Sequence, residues 1–159
     1  MRRLRTLLRR MRFAAPALAV FLSCWTPASA DDAPLAELGI VTKDGRQLTY
    51  AVEIADSPEE RRLGLMHRLK LPEDRGMLLW YAKPAEVRVW MKNTYVALDI
   101  LFIDEMGIVT GVEAAEPLSE DLIPSNGPVR AVLEINAGQS AARGITPGAL
   151  ILFPPGFGG

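Results

Sequence analysis

Cysteine and histidine are nearly absent from this 159-residue chain, which contains one of each, Cys24 and His67. Cys24 falls within the leader segment described below, so the chain beyond residue 30 has no thiol for disulfides, thiolate chemistry or cysteine-ligated zinc. The sequence also lacks a glycine-rich phosphate loop, a nucleophile elbow and a His–Glu metal motif. These absences make an enzyme the less favoured interpretation, and they predict no bound cofactor.

Positive charge is also scarce once the first 30 residues are set aside. Six of the 18 lysines and arginines lie there, and residues 31–159 carry 12 basic against 19 acidic side chains, a formal net charge of −7. Nucleic-acid binding depends on clustered basic residues that neutralise phosphates. We therefore expect no nucleic-acid partner.

Residues 1–30 have the organisation of a signal peptide. Six arginines precede an apolar stretch at residues 13–22, and Ala28-Ser29-Ala30 supplies the small residues that signal peptidase cleaves. Cleavage would leave Asp31 as the first residue. We expect a soluble protein that is periplasmic or secreted after removal of this peptide.

Other uses of the leader stay open as alternatives. A membrane anchor is disfavoured because Pro16 interrupts an apolar stretch shorter than the ~20 residues that span a bilayer, so we expect no transmembrane segment in the mature chain. Acylation of Cys24 would produce a lipoprotein, although Phe21 stands where such signals usually have leucine. Arginine pairs at residues 2–3 and 9–10 are a partial match to a twin-arginine export signal.

Short strands are predicted for most of the remaining chain. Residues 38–42 and 47–54 flank an Asp44-Gly45 turn, a combination typical of a β-hairpin. Ser57-Pro58-Glu59-Glu60 predicts a capping box with proline at the first helical position, and so the start of one short helix that runs to about Met66. Further strands are predicted at residues 76–82, 86–92, 96–103, 107–114, 129–136 and 149–153.

This pattern predicts a mainly β fold with about eight short strands and one or two short helices. Such a set of elements fits a compact, single-domain β-sandwich or barrel better than an α/β layer fold. We assign residues 31–37 to a short linker and residues 38–153 to the β domain. Residues 154–159, composed largely of proline and glycine, are predicted to be a flexible tail.

The most polar stretch in an otherwise apolar part of the chain is Trp90-Met91-Lys92-Asn93-Thr94. It is followed by Asp99, the only charged residue in residues 96–103. Charges are rarely placed in core sequence without a structural or functional reason. If residues 86–92 pair antiparallel with residues 96–103, strand alternation puts three residues on the same face as Asp99. These residues are Arg88, Trp90 and Lys92.

That face has two interpretations. Asp99 could form a buried ion pair that fixes the strand register. Alternatively, Trp90 could stack on a polar ligand to which the neighbouring polar groups hydrogen-bond, the ligand being a small molecule, a glycan or an envelope protein. The candidate ligand-binding residues are Arg88, Trp90, Lys92, Asn93, Thr94 and Asp99. We interpret the protein as an exported binding module, with the structural ion pair as an open alternative.

A hydrolase is the second hypothesis. Asp99 and Glu134 are carboxylates in apolar strands and could act as the acid and base of an enzyme that cleaves an envelope polymer. However, a strand glutamate between Leu133 and Ile135 is also typical of a solvent-facing position. The sequence does not decide between these two environments for Glu134.

Copper binding is a third and less favoured hypothesis. Met66, His67 and Met77 could form a thioether–imidazole site for Cu(I) outside the cytoplasm. Methionines more commonly fill gaps in a core, and a histidine near a helix end usually caps carbonyls or lies in solvent. We otherwise predict no metal site.

Four motifs resemble the family known as domain of unknown function 192, and the resemblance extends from about residue 40 to residue 153. The motifs are Gly64-Leu65-Met66-His67-Arg68, Gly76-Met77-Leu78-Leu79, Trp90-Met91-Lys92-Asn93-Thr94 and Leu98-Asp99-Ile100. The resemblance implies a compact, mostly β domain, in agreement with the strand count, but no reaction or ligand. Two residues depart from the family pattern, Ala97 in place of proline and Ala149 in place of aspartate. The second departure weakens any carboxylate ligand at the C-terminal turn.

Overall fold

Nine strands and two short helices are present in the computed structural model, which describes residues 34–157. The predicted signal peptide, residues 31–33 of the predicted linker, and Gly158 and Gly159 lie outside the described residues. The elements are β1 (Leu35–Val41), β2 (Gln47–Ala55), α1 (Pro58–Leu63), β3 (Arg75–Ala85), β4 (Arg88–Val89), β5 (Leu98–Ile103), β6 (Val109–Ala115), β7 (Ile123–Pro124), β8 (Val129–Asn136), α2 (Gln139–Arg143) and β9 (Leu150–Leu152). None of the helices within this range is long and apolar enough to cross a membrane.

Seven of the strands form one curled sheet in the order β6-β5-β8-β3-β2-β1-β9. Its pairs are antiparallel except β2 and β3, which run parallel and are connected through α1. The two edges of the sheet meet where Ile108 bridges Leu150 and where the nitrogen of Val109 donates to the oxygen of Ala149 at 2.9 Å. The prediction of a mainly β single domain is confirmed, and the sheet closes in the manner of a barrel rather than a sandwich.

Two apolar clusters lie on opposite faces of this sheet. The inner cluster receives side chains from all seven strands, among them Leu38, Tyr50, Leu78, Leu101, Leu133 and Ile151. The outer cluster covers β3, β5 and β8 and includes Leu65, Leu79, Val89, Met91, Ile100 and Val132. All six residues of β5 are buried because both of its faces are covered.

The structure contains the predicted hairpin and the predicted helix start, with some differences in the bounds of the elements. The hairpin is confirmed, with Gly45 at φ +86° in the turn between β1 and β2. The capping box of Ser57 is also confirmed, but α1 ends at Leu63 instead of near Met66. β1 begins at Leu35, inside the predicted linker. Residues 154–159 are predicted to be a flexible tail; within the described part of it, the Phe157 ring packs edge-on against Trp80 with 5.4 Å between ring centres.

The predicted pairing of residues 86–92 with residues 96–103 is wrong. β5 is hydrogen-bonded to β6 on one side and to β8 on the other, so it has no free edge for a third strand. Only Arg88 and Val89 of the expected strand are in strand conformation, and they pair with β7 in a separate two-stranded sheet. The sequence predictions include no strand at β7, and they allow a second short helix without giving the position of α2.

Candidate functional site

Glu134 lies in the middle of β8, between Met77 of β3 and Ile100 of β5. Because Leu133 and Ile135 point into the inner cluster, alternation turns Glu134 to the outer face of the sheet. The outer cluster covers this face, and the residue is only 5% exposed. The solvent-facing position that its apolar neighbours suggested is therefore not observed.

The Glu134 carboxyl group is both buried and incompletely hydrogen-bonded. Its Oε2 atom has no hydrogen-bond partner among the described residues. The three ion pairs found in residues 34–157 use other carboxylates. Burial raises the pKa of Glu134 to about 7, since desolvation disfavours the charged form. At neutral pH this group therefore exchanges between a neutral acid and a carboxylate.

A cavity of about 370 Å³ lies over Glu134. Its lining includes the chain that leaves α1, represented by Gly64 and Leu65, and the neighbouring segment that contains Trp90 and Met91. Gly64 comes close to the acid, since a Cβ added there would lie 3.7 Å from Oε2 of Glu134. The cavity thus has mostly apolar walls and one buried carboxyl group.

Three arginines also line this cavity, Arg61 and Arg62 from α1 and Arg88 from β4. Arg61 is held in place: its guanidinium donates to the backbone oxygens of Asp56 and Trp80, and it lies 4.8 Å from the centre of the Tyr81 ring. Burial raises the pKa of the Tyr81 phenol, which also lines the cavity. Arg62 and Arg88 have no carboxylate partner within residues 34–157.

The turn that follows Trp90 is fixed by backbone hydrogen bonds to two neighbouring segments. The nitrogen of Met91 donates to the oxygen of Ser119 at 2.9 Å, and the nitrogen of His67 donates to the oxygen of Asn93 at 2.8 Å. Lys92 lies outside the cavity lining, with its Nζ 5.3 Å from the centre of the Trp90 ring and 3.8 Å from Oε1 of Glu120. Of the six predicted ligand-binding residues, three line the cavity. These are Arg88, Trp90 and Thr94.

Asp99 is not part of this cavity. It alternates with Ile100, so it points to the inner side of the sheet, where its two oxygens accept hydrogen bonds from the nitrogens of Gly138 at 3.0 Å and Ser140 at 2.8 Å. The predicted shared face with Trp90 is therefore wrong, and so is the buried ion pair, because Asp99 binds backbone N–H groups. Asp99 and Glu134 also face opposite sides of the sheet and cannot act on one substrate as an acid/base pair.

The three residues of the copper hypothesis lie in different environments. Met66 lines the cavity over Glu134, whereas Met77 belongs to the outer cluster and lines a second cavity. His67 is exposed, with its ring centre 6.3 Å from that of Tyr95. Residues 34–157 contain no group of three or more His, Cys, Asp or Glu side chains placed to hold a metal ion.

Sequence reasoning did not identify the arginines of α1, Tyr81 or Leu122 as site residues. Their sequence signal is weak, since Arg61 and Arg62 look like ordinary solvent-facing residues at the end of a short helix. Tyr81 follows an apolar strand and looks like a core residue. They are neighbours of Glu134 because α1, the second half of β3 and the loop before β7 line the same cavity.

Comparisons with known proteins agree with this fold. The model of the domain of unknown function 192 family, described as "Uncharacterized ACR", matches residues 39–153. A candidate transcription regulator from Sinorhizobium meliloti 1021 has a similar crystal structure, with 39% identity and a TM-score of 0.73 over 74% of this chain and 92% of that chain. A protein of unknown function from Novosphingobium aromaticivorans DSM 12444 is 32% identical, with a TM-score of 0.72 over 75% of this chain and 85% of that chain. No curated protein matches significantly.

Proposed function

Since the chain belongs to the domain of unknown function 192 family, whose name carries no reaction, we propose its function from its own cavity: the domain binds a small molecule over Glu134. The observation that carries this proposal is the buried Oε2 atom of Glu134, which lines a cavity and has no partner among the described residues. Buried polar atoms are almost always hydrogen-bonded in native proteins, and each exception calls for an explanation. A ligand that donates a hydrogen bond to Oε2 would explain why this atom has no partner in the protein.

The energetics support a ligand that contributes one hydrogen-bond donor. Leaving a buried acceptor unsatisfied costs about 1–3 kcal/mol, and a donor on the ligand recovers much of that free energy. Apolar wall residues such as Leu79, Leu98 and Met91 favour an apolar ligand body. A hydroxyl group on a hydrocarbon body therefore matches the base of the cavity.

The size of the cavity also suits a small molecule. A volume of about 370 Å³ lies in the lower part of the ~300–1,000 Å³ range of ligand pockets. Trp90, which is 38% exposed, offers an aromatic ring at the boundary between the cavity and solvent. Its proposed role as a contact surface for the ligand is kept, while Asp99 is removed from the site.

Other functions have less support. A hydrolase that uses Asp99 with Glu134 would need both groups on one side of the sheet, and they lie on opposite sides. Regulation of transcription through DNA contact, suggested by the description of one relative, would place an acidic protein against an acidic polymer. We further propose that binding takes place outside the cytoplasm, on the basis of the leader pattern in residues 1–30.

The proposal is tested with n-alkyl alcohols from butanol to decanol, titrated into residues 31–159 and followed by NMR chemical shifts. Saturable shifts should cluster at Glu134, Gly64 and Trp90. Glu134→Leu removes the acceptor and should weaken binding about tenfold or more, since one hydrogen bond to a charged group is worth about 1.5–3 kcal/mol. Glu113→Leu, at an exposed position of β6, is the matched control. Equal affinity in the Glu134 variant, or no binding of any alcohol, would overturn the proposal.

A further inference from the structure

The charge of the cavity lining is opposite in sign to that of the domain. Residues 31–159 have a formal net charge of −7. The cavity nevertheless contains Arg61, Arg62 and Arg88, and its only acidic lining residue is the buried Glu134. A concave, partly apolar site lined by one sign of charge concentrates ligands of the other sign.

Two of these arginines are available to a ligand. Arg61 is occupied by backbone oxygens and the Tyr81 ring. The basic residues that form ion pairs within residues 34–157 are all elsewhere, namely Arg46, Arg68 and Lys92. Arg62 and Arg88 therefore form no ion pair with a carboxylate in this range, and they approach the same cavity from two different elements.

Apolar surface lies beside these charges. Leu63 and Leu122 are 54% and 57% exposed, and both line the cavity together with Trp90. Single exposed apolar residues are common on protein surfaces, but a group of them around one concavity indicates a binding surface. The lining of the cavity thus combines guanidinium groups with exposed apolar side chains.

We propose that the natural ligand is an amphipathic anion, with an apolar body in the cavity and an oxyanion group held by Arg62 and Arg88. This inference rests on the proposed function and specifies the chemistry at the other end of the ligand. The hydrogen-bond donor at one end binds Glu134, and the anionic group at the other end binds the two arginines. Guanidinium forks bind both carboxylate and phosphate through paired N–H donors. These two head groups therefore form separate arms of the test.

The experiment adds a charged group to the alcohols that test the proposed function. The probes are ω-hydroxy carboxylates, ω-hydroxyalkyl phosphates and ω-hydroxyalkyl amines, each from butyl to decyl, and Kd is measured by NMR titration at low and high salt. At the best chain length we expect at least one anionic probe to bind about tenfold more tightly than the parent alcohol at low salt. The amines should bind more weakly than the alcohol. Added salt should reduce the anionic advantage, because exposed charges are screened.

Arginine variants show whether the effect is local. In the double variant R62Q/R88Q, the anionic probe should no longer bind more tightly than the parent alcohol measured on the same variant. The control K70Q/K83Q changes the net charge equally at exposed lysines outside the cavity lining and should keep the advantage.

The inference and the proposed function can fail separately. Alcohol binding that depends on Glu134, together with anionic probes that bind no better, would overturn the inference and leave the proposed function standing. The inference would also be overturned if the tighter binding of the anionic probe relative to the alcohol were lost equally in R62Q/R88Q and in K70Q/K83Q. Failure of every probe to bind would overturn both.

Discussion

Oδ2 of Asp99 lies 2.8 Å from the backbone nitrogen of Ser140 and so caps a helix that has no cap of its own. The other carboxylate oxygen accepts from the nitrogen of Gly138, the N-cap position of α2. At the N-cap of a helix, a Ser or Asp side chain usually accepts a hydrogen bond from the backbone N–H groups of the first turn. In α2 this acceptor comes from a strand residue 41 positions before Ser140 in the chain. Asp99 joins α2 to β5 at one end of the curled sheet.

Replacing Asp99 with asparagine should destabilise the protein. The amide keeps one acceptor but presents an NH₂ group to the second backbone N–H, so one charge-assisted hydrogen bond is lost and one donor is left unsatisfied. We expect a loss of about 1–3 kcal/mol in the free energy of unfolding, measured by urea denaturation. Asp74→Asn, at an exposed carboxylate, should be near neutral. If both variants unfold like the wild type, the capping role assigned to Asp99 is wrong.

Burial of Glu134 should make stability depend on pH. Its pKa is raised from 4.5 to about 7 in the folded protein, so between these values the folded state holds a proton that the unfolded chain has released. This contribution to stability is fully present below pH 4.5 and falls as the pH rises. It levels off above about pH 7. The total loss is about 3 kcal/mol.

Glu134→Gln isolates this pH effect, because glutamine cannot titrate. Relative to the wild type, the variant should become progressively more stable as the pH rises through the stated range, in urea denaturation at a series of pH values. Glu113→Gln, on the exposed side of β6, should show no such trend. If the difference in stability between the wild type and the Glu134 variant does not change with pH, the raised pKa of Glu134 is contradicted.

Gly64 should not tolerate a side chain. Its backbone has φ +49° and ψ −135°, outside the regions that L-residues commonly adopt, so Gly64→Ala should cost about 1–3 kcal/mol. Gly111→Ala is the matched control, because its new Cβ would meet only Phe102 at 3.5 Å and no positive φ is involved. Thermal unfolding of both variants compares them directly, and equal melting temperatures would show that the backbone at Gly64 relaxes without strain.

The packing of Phe157 on Trp80 should contribute to stability. Phe157→Ala removes an edge-on aromatic contact with 5.4 Å between ring centres and should cost about 1–2 kcal/mol. Phe157→Leu keeps apolar area and should cost less. Unchanged thermal unfolding of the alanine variant would instead support the loose tail that the composition suggested.

Export is tested by expressing the chain with its own first 30 residues in a Gram-negative host. The leader pattern predicts a periplasmic protein that begins with Asp31, and N-terminal sequencing with intact mass measurement decides this. Retention of the leader would show that the segment has another role, and a lipid attached to Cys24 would show a lipoprotein.

Local features of this fold could be predicted because their causes lie close together in the chain. The Asp44-Gly45 turn is closed within a few residues, and so is the capping box of Ser57. In β2 the alternation of apolar and polar residues matches the burial only in the first half, where Gln47 and Thr49 are exposed, whereas Glu53 and Ala55 on the same face are buried. The strand β5 is different, because both of its faces are apolar and its pairing partners cannot be identified from periodicity.

The sequence by itself determined the fold class, the hairpin, the start of α1 and the region around Trp90 as a place to search for a site. The tertiary structure alone decided which carboxylate lines a cavity together with Trp90. Glu134 and Asp99 both stand among apolar strand residues, and alternation places them on opposite faces only once β5 and β8 are known to be neighbours. The cavity brings together α1, β4 and β8, and the long-range packing that does so leaves no signal in any single segment.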